Sequence, residues 1–223
     1  MVLFVIDETG NNRPKKPVDA VRPYPESFTF FDLGANAELS EETANRLSGE
    51  LGSYAVEKMT TLDLIIRDRI FFNKYFPKLF ELNYKLNDEA GARVEHNITN
   101  LVFRYPQKEN TPFDNVKLVF SNYTKKPLLF SITSRKKEAE INDVLKEKYG
   151  APGLINWEDG KSESLLWEKS GDFLVFSKIS ERGGFKYSIM IYFVSNMESL
   201  LKTEQEEVKK REEERKKAGK TAF

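Results

Sequence analysis

The sequence contains no cysteine and a single histidine, His96. Without cysteine there is no disulfide, no thiol nucleophile and no thiolate metal site, and one histidine cannot make a multi-histidine cluster within one chain. An excess of one charge is missing too: 35 Lys and Arg stand against 35 Asp and Glu. Nucleic-acid binding draws on a surplus of cations against phosphate, so this balance disfavours that partner. No apolar run approaches the ~20 residues of a membrane-spanning helix. The opening run Met1 to Ile6 meets Asp7 without the basic start, the longer apolar core or the small-residue site of a secretory signal. The expectation is a cytoplasmic protein, in which the Asn-x-Thr triplets at Asn97 and Asn122 are ordinary strand and turn residues.

What is present suits a globular chain: 223 residues, 39% hydrophobic and 31% charged. Residues 1–27 carry Pro14, Pro17, Pro23 and Pro25 among sparse, aperiodic apolar residues, and read as a flexible arm. Residues 28–201 hold the periodic segments and read as one α+β domain. Residues 202–223 read as a solvated, charged helical tail. From Lys202 to Lys220 it has eight basic and six acidic residues, and Val208 is its only large aliphatic side chain. Pairs such as Glu206 with Lys210 and Glu213 with Lys217 have the favourable i,i+4 order, each worth roughly 0.2–0.5 kcal/mol. They can sustain a helix but cannot build a core or a coiled-coil seam.

Between arm and tail the pattern predicts alternating helices and strands. Ser40 is an N-cap followed by Glu41 and Glu42, with the helix ending near Gly49 or Gly52. Tyr54 to Ile66 is rich in β-branched residues and predicts a strand. Ile70 to Leu86 predicts a helix interrupted at Pro77, with an aromatic stripe through Phe72 and Phe76. Strands are predicted over 93–105, 115–121 and 127–133, the last two forming an antiparallel hairpin. A helix over 135–149 ends at Gly150 and Pro152. Strands over 163–168, 172–179 and 185–194 form a meander with turns at Ser170-Gly171 and Gly183-Gly184. The last helix opens with the capping-box spacing of Ser195 and Glu198. The fold class expected is α+β, mainly antiparallel sheet with helices packed on one face, plus a charged C-terminal helix.

Catalytic chemistry is hard to assemble from these residues. Glu95 and His96 are adjacent on an extended segment, so they point to opposite sides and cannot pair. Gly183-Gly184 lies between two strands, whereas a phosphate cradle leads from a strand into a helix. No enzyme activity, metal or cofactor is expected. One cluster is a candidate contact for an anion or an acidic partner: Arg135, Lys136 and Lys137 in the first turn of their helix, where the dipole favours anions. The other reading starts that helix at Glu138 and leaves the three cations solvated. Lys125 and Lys126 do not enlarge the cluster, since the intervening strand places them on the order of 20 Å away.

The run Val144 to Pro152, followed by Trp157 and a meander, resembles small bacterial domains built from a hairpin, a helix and a three-stranded meander. These are the β-lactamase-inhibitor-like and outer-membrane-assembly lipoprotein domains, and the resemblance spans residues 113 to 194. The whole chain also resembles conserved bacterial proteins of no assigned activity. The resemblance implies binding of other proteins without catalysis, although those domains are exported and this chain shows neither a signal nor a lipid-attachment cysteine. The function expected is a non-enzymatic protein-interaction or adaptor module whose partner is another protein. The alternative is a small-molecule or lipid binder, or a weak enzyme, with a cavity lined by the aromatic helices. RNA binding through sheet aromatics is a third reading.

Overall fold

The computed structural model describes residues 27–87, 93–104, 113–134, 138–157, 161–182 and 184–221. The expected arm and the cluster Arg135, Lys136 and Lys137 lie outside the described residues, apart from Ser27.

Local signals place the first helices. Helix α1 spans Glu41–Leu51, and the Ser40 side chain accepts from the Thr43 amide at 3.1 Å. Helix α2 spans Arg69–Tyr75, with Asp68 Oδ1 accepting from the Phe71 amide at 2.8 Å. Helix α3 spans Pro77–Lys85 with proline at its start, where the missing N–H costs nothing. Helix α4 spans Glu138–Tyr149 and ends on Gly150 at φ 85°. Helix α5 spans Val194–Thr221, 28 residues, or about 42 Å at 1.5 Å per residue.

The strands are β1 Ala55–Glu57, β2 Ile98–Arg104, β3 Phe113–Ser121, β4 Pro127–Ser134, β5 Gly153–Trp157, β6 Ser162–Lys169, β7 Asp172–Glu181 and β8 Gly184–Tyr192. They form one antiparallel sheet in the order β1-β2-β3-β4-β8-β7-β6-β5. Two meanders are thus joined through the central β4–β8 pair, where Phe130 faces Ile191 and Thr133 faces Ser188. The β6–β7 hairpin turns through Ser170 (φ 52°) and Gly171 (φ 84°), the two positive φ values of a tight primed turn.

The α+β, mainly antiparallel architecture is as the sequence predicts, and the helices distribute over both faces of the sheet instead of one. On one face Leu118, Phe120, Phe130, Ile132, Leu174 and Ile191 pack with Leu47 of α1 and Tyr149 of α4. On the other, Val119, Leu129, Val175, Met190 and Tyr192 pack with α2, α3 and the Met197 and Leu200 side chains of α5. The central strands explain this. In β4 the residues from Pro127 to Phe130 are all buried, and a strand apolar on both sides needs cover on both.

Three further expectations change. The strand predicted over 54–66 is only Ala55–Glu57. Leu62, Leu64 and Ile66 are buried by alternation, but side chains satisfy much of that backbone. The Leu64 amide donates to Asn83 Oδ1 at 2.8 Å, and the Leu64 carbonyl accepts from the Tyr192 hydroxyl at 2.9 Å. Strand β5 was not expected, because Gly153 and exposed Leu154 give it no strand-like pattern. Finally, α5 begins at Val194, so Ser195 is inside the helix and not its cap. The first amide is capped from another strand: Val194 donates to Asp172 Oδ1 at 2.9 Å.

Candidate functional site

The lone histidine sits where α5 meets the body. His96 precedes β2, and its side chain is 1% exposed, whereas the neighbouring Glu95 faces solvent. Its amide donates to the Thr60 carbonyl at 2.9 Å, which holds the residue against the 59–66 segment. The ring Nε2 lies 2.7 Å from the Leu86 carbonyl, and Nδ1 lies 2.8 Å from Glu204 Oε2 on α5. A carbonyl and a carboxylate both accept, so the two contacts favour the ring that carries hydrogen on both nitrogens. Burial pushes its pKa down. The hydrogen bond and charge of Glu204 and the Leu86 carbonyl outweigh that and hold the pKa above the ordinary 6.5.

Glu204 is held from both sides, because Oε1 accepts from the Asn97 amide at 2.9 Å. One turn on, Glu207 Oε2 accepts from the Tyr123 hydroxyl at 3.0 Å and pairs with Arg211 at 3.3 Å. Two turns back, Asn196 Nδ2 donates to the carbonyls of Ala35 and Pro127, both at 2.8 Å. Met197, Leu200, Glu204 and Glu207 recur at three- to four-residue spacing, one stripe of the helix. The stripe is apolar up to Leu200 and polar beyond it. From Lys209 to Ala218 every residue is exposed.

A groove of about 680 Å³ opens beside this junction. Leu86, Val94, Leu201 and Val208 give it an apolar floor, and Lys85, Glu95, Lys209 and Glu212 give it a rim of mixed charge. Val94 and Val208 are 40% and 53% exposed, unusual for large aliphatic side chains so close together. Of the titratable groups that line the groove, His96 is bonded to Glu204 and Tyr123 to Glu207. His96 and Glu204 satisfy each other.

No family model, curated protein or solved structure matches this chain.

The aromatic stripe of α2 and α3 lies in the core. Phe71 packs on Trp157 with ring centroids 4.5 Å apart, and Phe72 packs on Phe76 at 5.5 Å and on Tyr192 at 6.4 Å. Sequence reasoning singled out His96 but missed its partner. Glu204 is 108 residues away, one of six carboxylates in a run of alternating charge, and nothing local marks it. Asp172 was missed for the same reason. It looks like the first residue after a turn, yet it is 6% exposed, and burial raises its pKa to about 6 against the lowering pull of the Val194 and Ser195 amides. Among the described residues no cluster of three or more His, Asp or Glu could hold a metal ion, and no helix is long and apolar enough to cross a membrane.

Proposed function

We propose that this chain is a non-enzymatic protein-interaction module whose contact element is the outer part of α5 together with the groove at its base. The observation that carries the reading is the clamp. Beyond Leu201 the helix has little apolar surface, and it is fixed to the body there by the buried His96–Glu204 pair, from which Lys209 to Ala218 extend into solvent. A projecting helix of this kind meets a partner with its ordering cost already met, which is the main benefit of pre-organisation. The mixed charge of its surface favours orientation and partner discrimination over raw affinity. The partner surface that fits is helical or extended, with an apolar anchor for Leu201 and Val208 and charges alternating against those of α5. Burial of the sheet aromatics, Phe103, Phe120 and Phe176 among them, gives no support to RNA stacking.

The test uses two baits, the full chain and a chain ended after Val208, against a native lysate with quantitative detection of what is retained. The expected result is a defined set of proteins held by the full chain and lost from the shortened one. Identical retained sets, empty or not, would remove α5 as the contact element.

A further inference from the structure

A second site lies on the sheet face that carries α2 and α3. Those helices and the 59–67 segment cover the end of this face where Val119, Leu129 and Tyr192 lie, and they stop short of its opposite end. The uncovered part is a cleft of about 320 Å³, at the small end of the range for ligand pockets. Its floor is set by strand register: Lys117 lies across from Ser131, and Thr133 across from Ser188, with Lys186 two residues along from Ser188 on the same face.

The hydroxyls distinguish this cleft from bare surface. The same row continues into the core as Ser177 and Ser164, which bond each other at 2.8 Å while Trp157 Nε1 donates to Ser164 at 3.1 Å. In the cleft half of the row, the hydroxyls of Ser131, Thr133 and Ser188 are half-buried and have no protein partner among the described residues. Three adjacent donors are left directed into a confined space.

Cations surround them. Arg67, Arg93, Lys117 and Lys186 line the cleft, with Asp63 the only carboxylate in the lining. Arg93 is paired with Asp63 at 3.2 Å, and Arg67 lies 3.3 Å from Asp68 and stacks over Trp157. Lys117 shares Glu57 with Arg104, at 3.3 and 3.0 Å. Within the lining four cations stand against one carboxylate, and Lys186 has no ion-pair partner among the described residues. Ile65, Ile179 and Met190 supply an apolar wall beside this surplus.

We propose that the cleft binds a small organic anion, its carboxylate or phosphate head on Lys186, Lys117 and the three hydroxyls and its apolar body against Ile65 and Ile179. Hydroxyls and ammonium groups donate together to an anionic head, and charge-assisted bonds of this kind are the stronger class. A cationic or purely apolar ligand would leave the surplus charge and the free donors unanswered.

Isothermal titration calorimetry on the full chain tests this with four probes: hexanoate, hexyl phosphate, inorganic phosphate and hexylammonium. Hexanoate or hexyl phosphate should bind one to one, and the tighter of the two names the head group. Inorganic phosphate should bind more weakly than hexyl phosphate, and hexylammonium should not bind. Lys186→Glu should weaken binding about tenfold or more, the loss of one hydrogen bond to a charged group. The double variant Ser131→Ala with Thr133→Val should weaken it similarly while keeping the fold, as circular dichroism would verify. Lys209→Glu, the same charge change on α5, should leave binding as it was. Absence of binding by both hexyl anions at millimolar concentration would overturn the proposal. So would equal binding of hexylammonium, equal binding of inorganic phosphate and hexyl phosphate, or unchanged affinity in both cleft variants.

Discussion

Among the described residues His96 and Asp172 both have raised pKa values, His96 through its hydrogen-bond partners and Asp172 through burial. His96 has its pKa raised by Glu204 and the Leu86 carbonyl against the opposing effect of burial. A raised histidine pKa stabilises the fold fully below the unfolded value of about 6.5, and the contribution is lost as pH rises through the folded value. As the only histidine, it gives a single imidazole resonance, so an NMR titration reads it without assignment. The expected midpoint lies above 6.5 in the natural chain and falls in Glu204→Gln. An unchanged midpoint in that variant would mean that the carboxylate does not hold the ring. Asp172 shows the opposite residue chemistry with the same sign. Burial raises its pKa from 3.8 to about 6, so its neutral form is favoured in the folded chain. Stability from this group is present below about 3.8 and lost as pH rises through about 6. Asp172→Asn keeps an acceptor for the Val194 amide but cannot ionise. Urea midpoints between pH 4 and 7 should therefore fall less in Asp172→Asn than in the natural chain, with parallel curves as the contrary outcome.

At the scale of elements, α5 is one helix with three sections. Met197 and Leu200 are in the core, Glu204 and Glu207 are bonded to the body, and Lys209 to Ala218 are exposed. Ending the chain after Val208 should change unfolding stability by no more than about 0.5 kcal/mol, as for other surface changes. Ending it after Leu201 removes Glu204 and leaves a buried imidazole with one partner. The expected loss is about 2 kcal/mol at pH 6, the value of a hydrogen bond between charged groups, and it should shrink above the His96 pKa. Equal stability of the two truncations would remove the clamp from the account. Much of the element pattern was legible in the sequence. Ser40, Pro77 and Gly150 mark boundaries because capping and φ restrictions act within a few residues. The 59–66 segment was misread because its alternation of buried and exposed residues is that of a strand. Around Leu62 and Leu64 its backbone partners are instead the side chains of Asn83, Asn87 and Tyr192, from distant parts of the chain.

At the scale of the whole molecule, the sheet is the spine and its central pair is where it is least tolerant. Phe130 is fully buried on β4 and its ring lies 5.7 Å from Phe120, 5.1 Å from Phe193 and 6.5 Å from Phe30. Phe130→Ala should cost about 3–5 kcal/mol in urea unfolding, the range for a large buried ring replaced by a methyl. Phe185→Ala, on a ring 52% exposed, should cost far less. A similar cost for both would contradict the placement of the core. Joining two meanders at β4 and β8 also decides where sites can form. It leaves one end of the α2–α3 face uncovered, where Ser131, Thr133 and Ser188 meet, and it sends α5 back across the opposite end of β4.

Taken alone, the sequence determined the class of the molecule: an α+β chain without thiol or multi-histidine chemistry, whose last helix beyond Leu201 is charged and nearly free of aliphatic residues. It also determined most helix boundaries and the two hairpins, because caps, prolines and turn residues act on their neighbours. Only the tertiary structure decided which face each helix covers, that Glu204 answers His96, that Asp172 caps a helix from another strand, and that three hydroxyls and a lysine surplus share one cleft. Each of these pairs groups tens of residues apart among many chemically equivalent candidates. Spacing along the chain carries no record of such a choice; strand register and packing make it.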